Sequence, residues 1–306
     1  MSYDRRKFLQ LAGGLASGVA FANISCNSSS SPKAGELKDT TTTTPTVARN
    51  EPKSLDTFGV QLWTVRDDLA KDPKGVLKQL AGFGYKQIES FEGKQGMFWG
   101  MSNTDFKKYM DELGIVIVSS HCDTVKGFDK KAGDAAAIGM KYLITPWVGP
   151  QKTLDDYKKR ADEFNKAGEI CKKAGIRFAY HNHWYSFTQQ DGQFPQDIFM
   201  ANTDPSLVDY EMDIYWVVTA GQDPIPWLKK YPDRFRLCHI KDRKKDAPAK
   251  EQDASCDLGA GSIDFPKILH EALGMQYYIL EQEGYDNTTP IQCTEVDATY
   301  LKNLKI

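Results

Sequence analysis

His181 and His183 stand two residues apart at the end of the run Ile176-Arg-Phe-Ala-Tyr-His-Asn-His183. In an extended strand, residues i and i+2 point to one face, so this spacing predicts two imidazoles projecting together. Ile176, Phe178 and Tyr180 fall on the opposite, apolar face, which suits a cover of helices. A lone histidine is usually a satisfied core residue; a pair on one strand end asks what else arrives beside it. Three later runs deliver comparable groups: Asp209, Glu211 and Asp213 alternate with Val208, Tyr210 and Met212; His239 and Lys241 end the run from Phe235; Glu281 and Glu283 share a face with Tyr277 and Ile279. Each has an ordinary alternative, Asp213 as a helix cap, Glu281 as a partner of Lys241, His239 as core. Taken together, His183, Asp213, His239 and Glu281 form a mixed imidazole and carboxylate set for one divalent metal, Mn, Co, Mg, Fe or Zn, with room for substrate oxygens.

The elements that must position these groups read as alternating strands and helices. Short apolar runs at 58–63, 85–90, 115–121, 142–146, 176–183, 207–213, 235–240 and 277–282 are predicted strands, with helices between them and a last helix at about 290–304. Gly84, Gly114, Gly139, Gly175 and Gly274 each close a helical stretch just before a strand, where a left-handed C-terminal residue is favoured. Eight such units over about 250 residues predict an α/β fold of the (β/α)8 TIM-barrel kind, with its chemistry at the carboxyl ends of the strands. A doubly wound sheet is the alternative, but no G-x-G-x-x-G follows the first strand. Other inward strand ends predicted to shape a substrate pocket are Gln61, Trp63, Glu89 and His121, with Trp147 just past the fourth strand.

Among the 306 residues, 41% are hydrophobic and 26% charged, ample for one large core and unlike a disordered or fibrous chain. A formal charge of −2 argues against a polyanionic partner such as nucleic acid. Residues 1–26 stand apart: Arg5-Arg6-Lys7-Phe8-Leu9, then a small-residue apolar run too short to span a bilayer, resemble a twin-arginine export signal. Ile24-Ser25-Cys26 resembles the end of a lipobox, which makes Cys26 the residue to be acylated, although Asn23 stands where Leu is usual. Residues 27–56 are rich in Ser, Thr and Pro and are expected to be a disordered tether, the barrel occupying 57–306. A periplasmic or membrane-anchored lipoprotein is therefore expected. Cys122, Cys171, Cys238, Cys256 and Cys293 contain no C-x-x-C pair and are expected to be free thiols, chiefly buried.

Several of these segments, Gly59-Val-Gln-Leu-Trp-Thr-Val-Arg-Asp67, Tyr85 to Glu89, Tyr180-His-Asn-His183, Glu211-Met-Asp-Ile-Tyr-Trp216, His239-Ile-Lys-Asp242 and Ile279-Leu-Glu-Gln282, resemble the sugar phosphate isomerase/epimerase superfamily of xylose isomerase-like barrels. The resemblance runs from about 57 to 304. It implies one divalent metal held by a Glu, an Asp, a His and a second Glu on strands five to eight, onto which Asp213, His239 and Glu281 map. The fifth strand departs from that pattern, leaving His183 as first choice and His181 as second for the remaining ligand. Trp216 and the segment Asp253-Ala-Ser255 lack the further ligands of the related DNA-repair endonucleases, which argues against a trinuclear phosphodiesterase. The loop Asp257-Leu-Gly-Ala-Gly261 resembles one that closes over the site. The implied activity is isomerase, epimerase or lyase chemistry beside the carbonyl of a sugar or keto-sugar, through an enediolate. Expected catalytic groups are Glu281 or Glu283 as base and His181 or Lys241 as acid. Because sugar phosphates are cytoplasmic, an exported member points to unphosphorylated sugars or 3-keto-glycosides, with a 3-keto-glycoside lyase as one form. The alternative is a surface sugar-binding lipoprotein without turnover, suggested by Ser186 where relatives carry Glu.

Overall fold

The computed structural model describes residues 53–286 and 288–306. The export signal, the lipobox and most of the tether fall outside the described residues. Eight parallel strands close into a barrel in the order β1, β10, β7, β6, β5, β4, β3, β2. They are β1 (Gly59–Gln61), β2 (Gln87–Phe91), β3 (Val116–His121), β4 (Tyr142–Thr145), β5 (Arg177–His181), β6 (Val208–Asp213), β7 (Phe235–Ile240) and β10 (Tyr277–Leu280). A two-residue ribbon, β8 (Asp242–Arg243) with β9 (Ser255–Cys256), is inserted after β7. All eight predicted strands are present, most trimmed by one or two residues at an end.

Alternation within each strand decides what the barrel encloses. Outward residues such as Phe178, Tyr180, Val208, Tyr210, Met212 and Cys238 pack with the helices in one large core. Inward residues make a second, small cluster of Val118, Tyr142, Ile144, Ala179, Leu237 and Ile279. At the foot of the barrel Asp209 accepts from Tyr142 Oη at 3.0 Å and pairs with Arg177, so a carboxylate that is otherwise costly to bury is neutralised. The imidazoles and carboxylates lie above this apolar plug, towards the carboxyl ends.

The helix ends largely follow expectation. Gly84, Gly114, Gly139 and Gly175 all have positive φ. Gly274 does not; a Cβ there would meet the Asp233 backbone at 2.9 Å, so close approach requires this glycine. The fold also begins a few residues ahead of the expected boundary at 57. Leu55 is buried, and Lys53 exchanges backbone hydrogen bonds of 2.9 Å with the C-terminal Ile306. Cys122, Cys171, Cys238 and Cys293 are buried free thiols, and Cys256 is partly buried. Among the described residues, no helix is long and apolar enough to cross a membrane.

Candidate active site

Residues at the carboxyl ends of the strands build the site in two tiers. The lower tier joins Glu89 of β2, His121 of β3, His181 of β5, Glu211 of β6 and His239 of β7, all buried. Three imidazole nitrogens converge on Glu211 Oε2: His121 Nε2 at 2.9 Å, His181 Nδ1 at 3.1 Å and His239 Nε2 at 3.3 Å. Glu89 Oε1 faces His239 Nε2 at 2.8 Å and His121 Nε2 at 3.0 Å, and accepts from Gln61 Nε2 at 2.7 Å. Ser119 donates to its other oxygen at 2.5 Å.

The electrostatics follow from burial acting against charge pairing. Burial alone raises a carboxyl, yet His121 and His239 beside Glu89 hold it well below the usual range. Glu211 is instead pushed up to about 7, by burial and then by the charge of Glu89. Burial works against His121, but the Glu89 and Glu211 carboxylates raise it to about 9. His181 goes the other way: burial and then the neighbouring His239 and His121 leave it well below its ordinary value, a neutral imidazole.

The upper tier is Asp213 of β6, His239 again, and Glu281 just past β10. One oxygen or nitrogen from each lies within 4.8 Å of the others. His239 Nδ1 stands 3.4 Å from Glu281 Oε2 and 3.8 Å from Asp213 Oδ2. Both His239 Nδ1 and Asp213 Oδ2 are buried without a hydrogen-bond partner. Buried polar atoms rarely go unpaired, and these two face a carboxylate oxygen across a gap. Donor separations of this size match the edges of a coordination shell whose bonds are about 2.0–2.2 Å. A divalent cation therefore fits the residues present. Asp213 Oδ1 caps the following helix by accepting from Trp216 N at 3.0 Å, which fixes the carboxylate's orientation.

His183, the first choice for the fourth ligand, belongs to neither tier. β5 ends at His181, and the chain turns into a short 3-10 helix, Trp184–Phe187, for which His183 is the N-terminal cap residue. The alternation therefore stops before His183, whose ring lies edge-on to Trp147 at 4.4 Å and stacked on Trp216 at 5.2 Å. Its imidazole is held down at about 3, by burial first and then by Lys241. His181, the second choice, groups with His121, Glu211 and His239 in the lower tier, and the group of Asp213, His239 and Glu281 includes neither histidine of this pair. Gln61 and Glu89 also differ from expectation: both are fully buried in the lower tier instead of forming the cavity wall. Their glutamine and carboxylate are spent on each other and on imidazoles.

A cavity of about 810 Å³ opens above these tiers, lined by His121, His181, His183, Glu281 and Glu283 at its inner end and by Trp63 and Trp147 further out. Lys241 is fully buried, with Glu281 Oε2 at 3.4 Å, Glu283 as a close partner, and the rings of Tyr215 and Trp216 within 4.9 Å. Burial disfavours its charge, but Glu281 and Glu283 more than offset that and drive its pKa up. It is an ammonium, a donor rather than a base. Glu283 receives Trp63 Nε1 at 3.1 Å and is the more exposed of the two glutamates. The loop Asp257–Gly261 does not line this cavity. It is tied down by Asp242, whose carboxylate accepts from Gly259, Gly261 and Ile263, and by Asp297 of the last helix, which accepts from Leu258 N at 2.8 Å. Glu211 was absent from the expected site, although the alternation that selects Asp213 selects it too, one step further down the same face.

A closed parallel barrel with imidazole and carboxylate donors gathered at the carboxyl ends of its strands is the architecture of a TIM-barrel protein with its site at that face. The chain belongs to the family of xylose isomerase-like TIM barrels, whose model matches residues 77–304. It is similar to a sugar phosphate isomerase/epimerase from Parabacteroides distasonis, at 32% identity over 80% of this chain and 93% of that one, with a TM-score of 0.67. It is 23% identical to the inosose dehydratase of Geobacillus kaustophilus over 66% of this chain and 76% of that protein. Across such curated relatives the shared stretch runs from 44% to 76% of their own length. The fold also matches a xylose isomerase-like protein from Mycobacterium smegmatis in complex with magnesium, at 15% identity over 81% of this chain and 96% of that one, TM-score 0.58.

Proposed function

We propose that this protein is a divalent-metal-dependent enzyme that acts beside the carbonyl of a sugar or keto-sugar. The observation that carries the reading is the orphaned pair, His239 Nδ1 and Asp213 Oδ2, facing Glu281 at the inner end of the cavity. Asp213, His239 and Glu281 would hold the cation, with His181 the nearest candidate for a further ligand. When bound, such an ion supplies Lewis-acid polarisation of a carbonyl and its neighbouring hydroxyl.

The rest is done by the chain's own groups. Glu283, at the cavity wall, takes the proton from the carbon next to the carbonyl, leaving an enediolate. Lys241, held charged between Glu281 and Glu283, lends positive charge to the developing oxyanion. Return of the proton to the same carbon from the other face gives epimerisation, and its return to the former carbonyl carbon gives isomerisation. Expulsion of a substituent one carbon further on, protonated as it leaves by the carboxyl group of Glu283, gives a dehydratase or lyase; the neutral His181 imidazole is not the acid. Inosose dehydratases among the relatives support elimination as one outcome. Ser186, which suggests a site without turnover, is buried against Tyr180 Oη at 3.0 Å and leaves the cavity's acids and bases intact.

The export signal in residues 1–26 belongs to the same proposal, and directs the choice towards unphosphorylated substrates and 3-keto-glycosides. Incubating metal-loaded protein in D₂O with inososes, free ketoses and 3-keto-glycosides tests it. Solvent deuterium incorporation or loss of water or aglycone is expected for at least one. Absence of all three across the panel overturns the reading.

A further inference from the structure

Among the described residues six large hydrophobic side chains are well exposed, and three of them, Trp63 at 39%, Val125 at 79% and Trp147 at 48%, line the cavity above the candidate metal-ligating groups. Apolar surface concentrated at one mouth marks a recognition surface, whereas scattered exposure does not. The cavity, at about 810 Å³, lies near the top of the roughly 300–1,000 Å³ range that encloses drug-sized ligands. One hexose or inosose at the inner end leaves much of it unfilled.

The outer wall is closely packed and hydrogen-bonded. Trp147 meets His183 at 4.4 Å, Tyr185 at 5.0 Å and Trp184 at 5.6 Å between ring centroids. Its loop is fastened where Val148 N and Gly149 N both donate to Tyr185 Oη at 3.2 Å, and Gln151 Nε2 donates to the Val148 carbonyl at 2.7 Å. Contacts lead outward from the reacting groups in steps, Lys241 over Trp216, Trp216 on His183, His183 against Trp147. A half-exposed tryptophan fixed in this way loses little freedom when a ring stacks on it. The same mouth also carries hydrogen-bonding groups. Glu92 and Asp123 line it. Glu92 Oε2 accepts from Asp123 N at 2.9 Å and from Lys131 Nζ at 2.6 Å, and Asp123 Oδ1 accepts from Val125 N at 2.8 Å, so the other oxygen of each carboxylate is the one that can face a ligand.

We infer that this outer region is a subsite for a second pyranose ring, glycosidically linked to the ring that reacts, so that the substrate is disaccharide-sized or larger. A pyranose presents an apolar C–H face and an edge of hydroxyls. Trp147 and Val125 suit the first, and the Glu92 and Asp123 carboxylates the second. The inference rests on the keto-sugar reading and adds the substrate's size and the residues that read it.

The test compares three 3-keto ligands, the methyl glycoside, the phenyl glycoside and a disaccharide, with the metal-loaded full chain. Calorimetry reads binding, and deuterium uptake reads chemistry separately. The disaccharide is expected to bind at least tenfold more tightly than the methyl glycoside. Trp147→Ala should bring that ratio close to one, Trp147→Phe should retain most of it, and Val125→Asp should lower it. Equal affinity for methyl glycoside and disaccharide, with deuterium uptake intact, overturns the second-ring subsite and leaves the proposed chemistry standing. A gain for the phenyl glycoside without one for the disaccharide overturns it in favour of an aromatic aglycone. Loss of deuterium uptake with all three, together with no binding, removes the reading on which the subsite depends.

Discussion

His239 is the residue on which both tiers turn, because its two ring nitrogens serve different neighbours. Nε2 is shared by Glu89 and Glu211, while Nδ1 looks at Asp213 and Glu281 without completing a hydrogen bond to either. Burial works against a charge on this ring, but Glu211 and Glu281 hold its pKa well above the ordinary value. A bound cation satisfies the same field that a proton does. Asp213→Asn keeps the helix cap through its remaining carbonyl oxygen but removes a charged ligand. Elemental analysis should show most of the metal lost, and turnover should fall by about 10²-fold or more, on the scale of losing Lewis-acid or proton-transfer assistance. The two histidines of β5 separate in the same assay. His181→Ala should lower metal content, because its imidazole is neutral and groups with His239, the histidine that both tiers share. His183→Ala should leave metal content at the parent level, because its ring packs against Trp147 and Trp216. Metal loss in His183→Ala with none in His181→Ala would reverse the assignment.

At the scale of elements, what was legible in the sequence is what periodicity carries. The outward and inward faces of β5, β6 and β7 follow from counting by two, and with them Asp213 and His239. Counting fails where a strand stops, which is why His183 leaves the face that His181 occupies. It also cannot say how deep an inward group sits, so Gln61 and Glu89 read as wall residues when they are buried beneath it. The loop after β9 was expected over the site. Its anchors, Asp242 and Asp297, are far from it in sequence, and no local pattern announces them. Asp297 makes a measurable consequence. Burial, and then the charges of Asp257 and Asp242, raise its carboxyl to about 8. In the unfolded chain the same group titrates near about 3.9. Between those values the unfolded state has released a proton that the folded state still holds, so this group's contribution to stability is full below about pH 4, declines as pH rises, and levels off above about pH 8. Asp297→Asn keeps the acceptor for Leu258 N and carries no charge. Thermal denaturation should show the variant more stable than the parent at pH 8, by about 1 kcal/mol or more, and no such gain at pH 4. A gain of equal size at both pH values would mean that charge is not its origin.

For the whole molecule the decisive fact is that the two tiers, with Glu283 beside them, bring five carboxylates, Glu89, Glu211, Asp213, Glu281 and Glu283, against three imidazoles and the Lys241 ammonium, while the middle of the barrel is filled by apolar side chains. The closed sheet itself has no free edge and the helices bury its outer face, so the fold forms without the site being filled. The site is instead a local concentration of negative charge that the fold holds together. A cation binding only the folded state stabilises it by mass action, by about 2.7 kcal/mol when its concentration is 100 times Kd. For a domain of this size about 1 kcal/mol shifts the midpoint by roughly 2–4 °C, so saturating Mn²⁺, Co²⁺, Mg²⁺ or Zn²⁺ should raise Tm by roughly 5–10 °C over chelator-treated protein. The chelated form should still unfold cooperatively, since the core lies beneath the donors and outside them. Asp213→Asn should abolish most of the metal-dependent increment while changing the chelated midpoint little. An increment that survives in Asp213→Asn would place the stabilising cation away from His239 and Glu281, and with it the chemistry proposed for that end of the barrel.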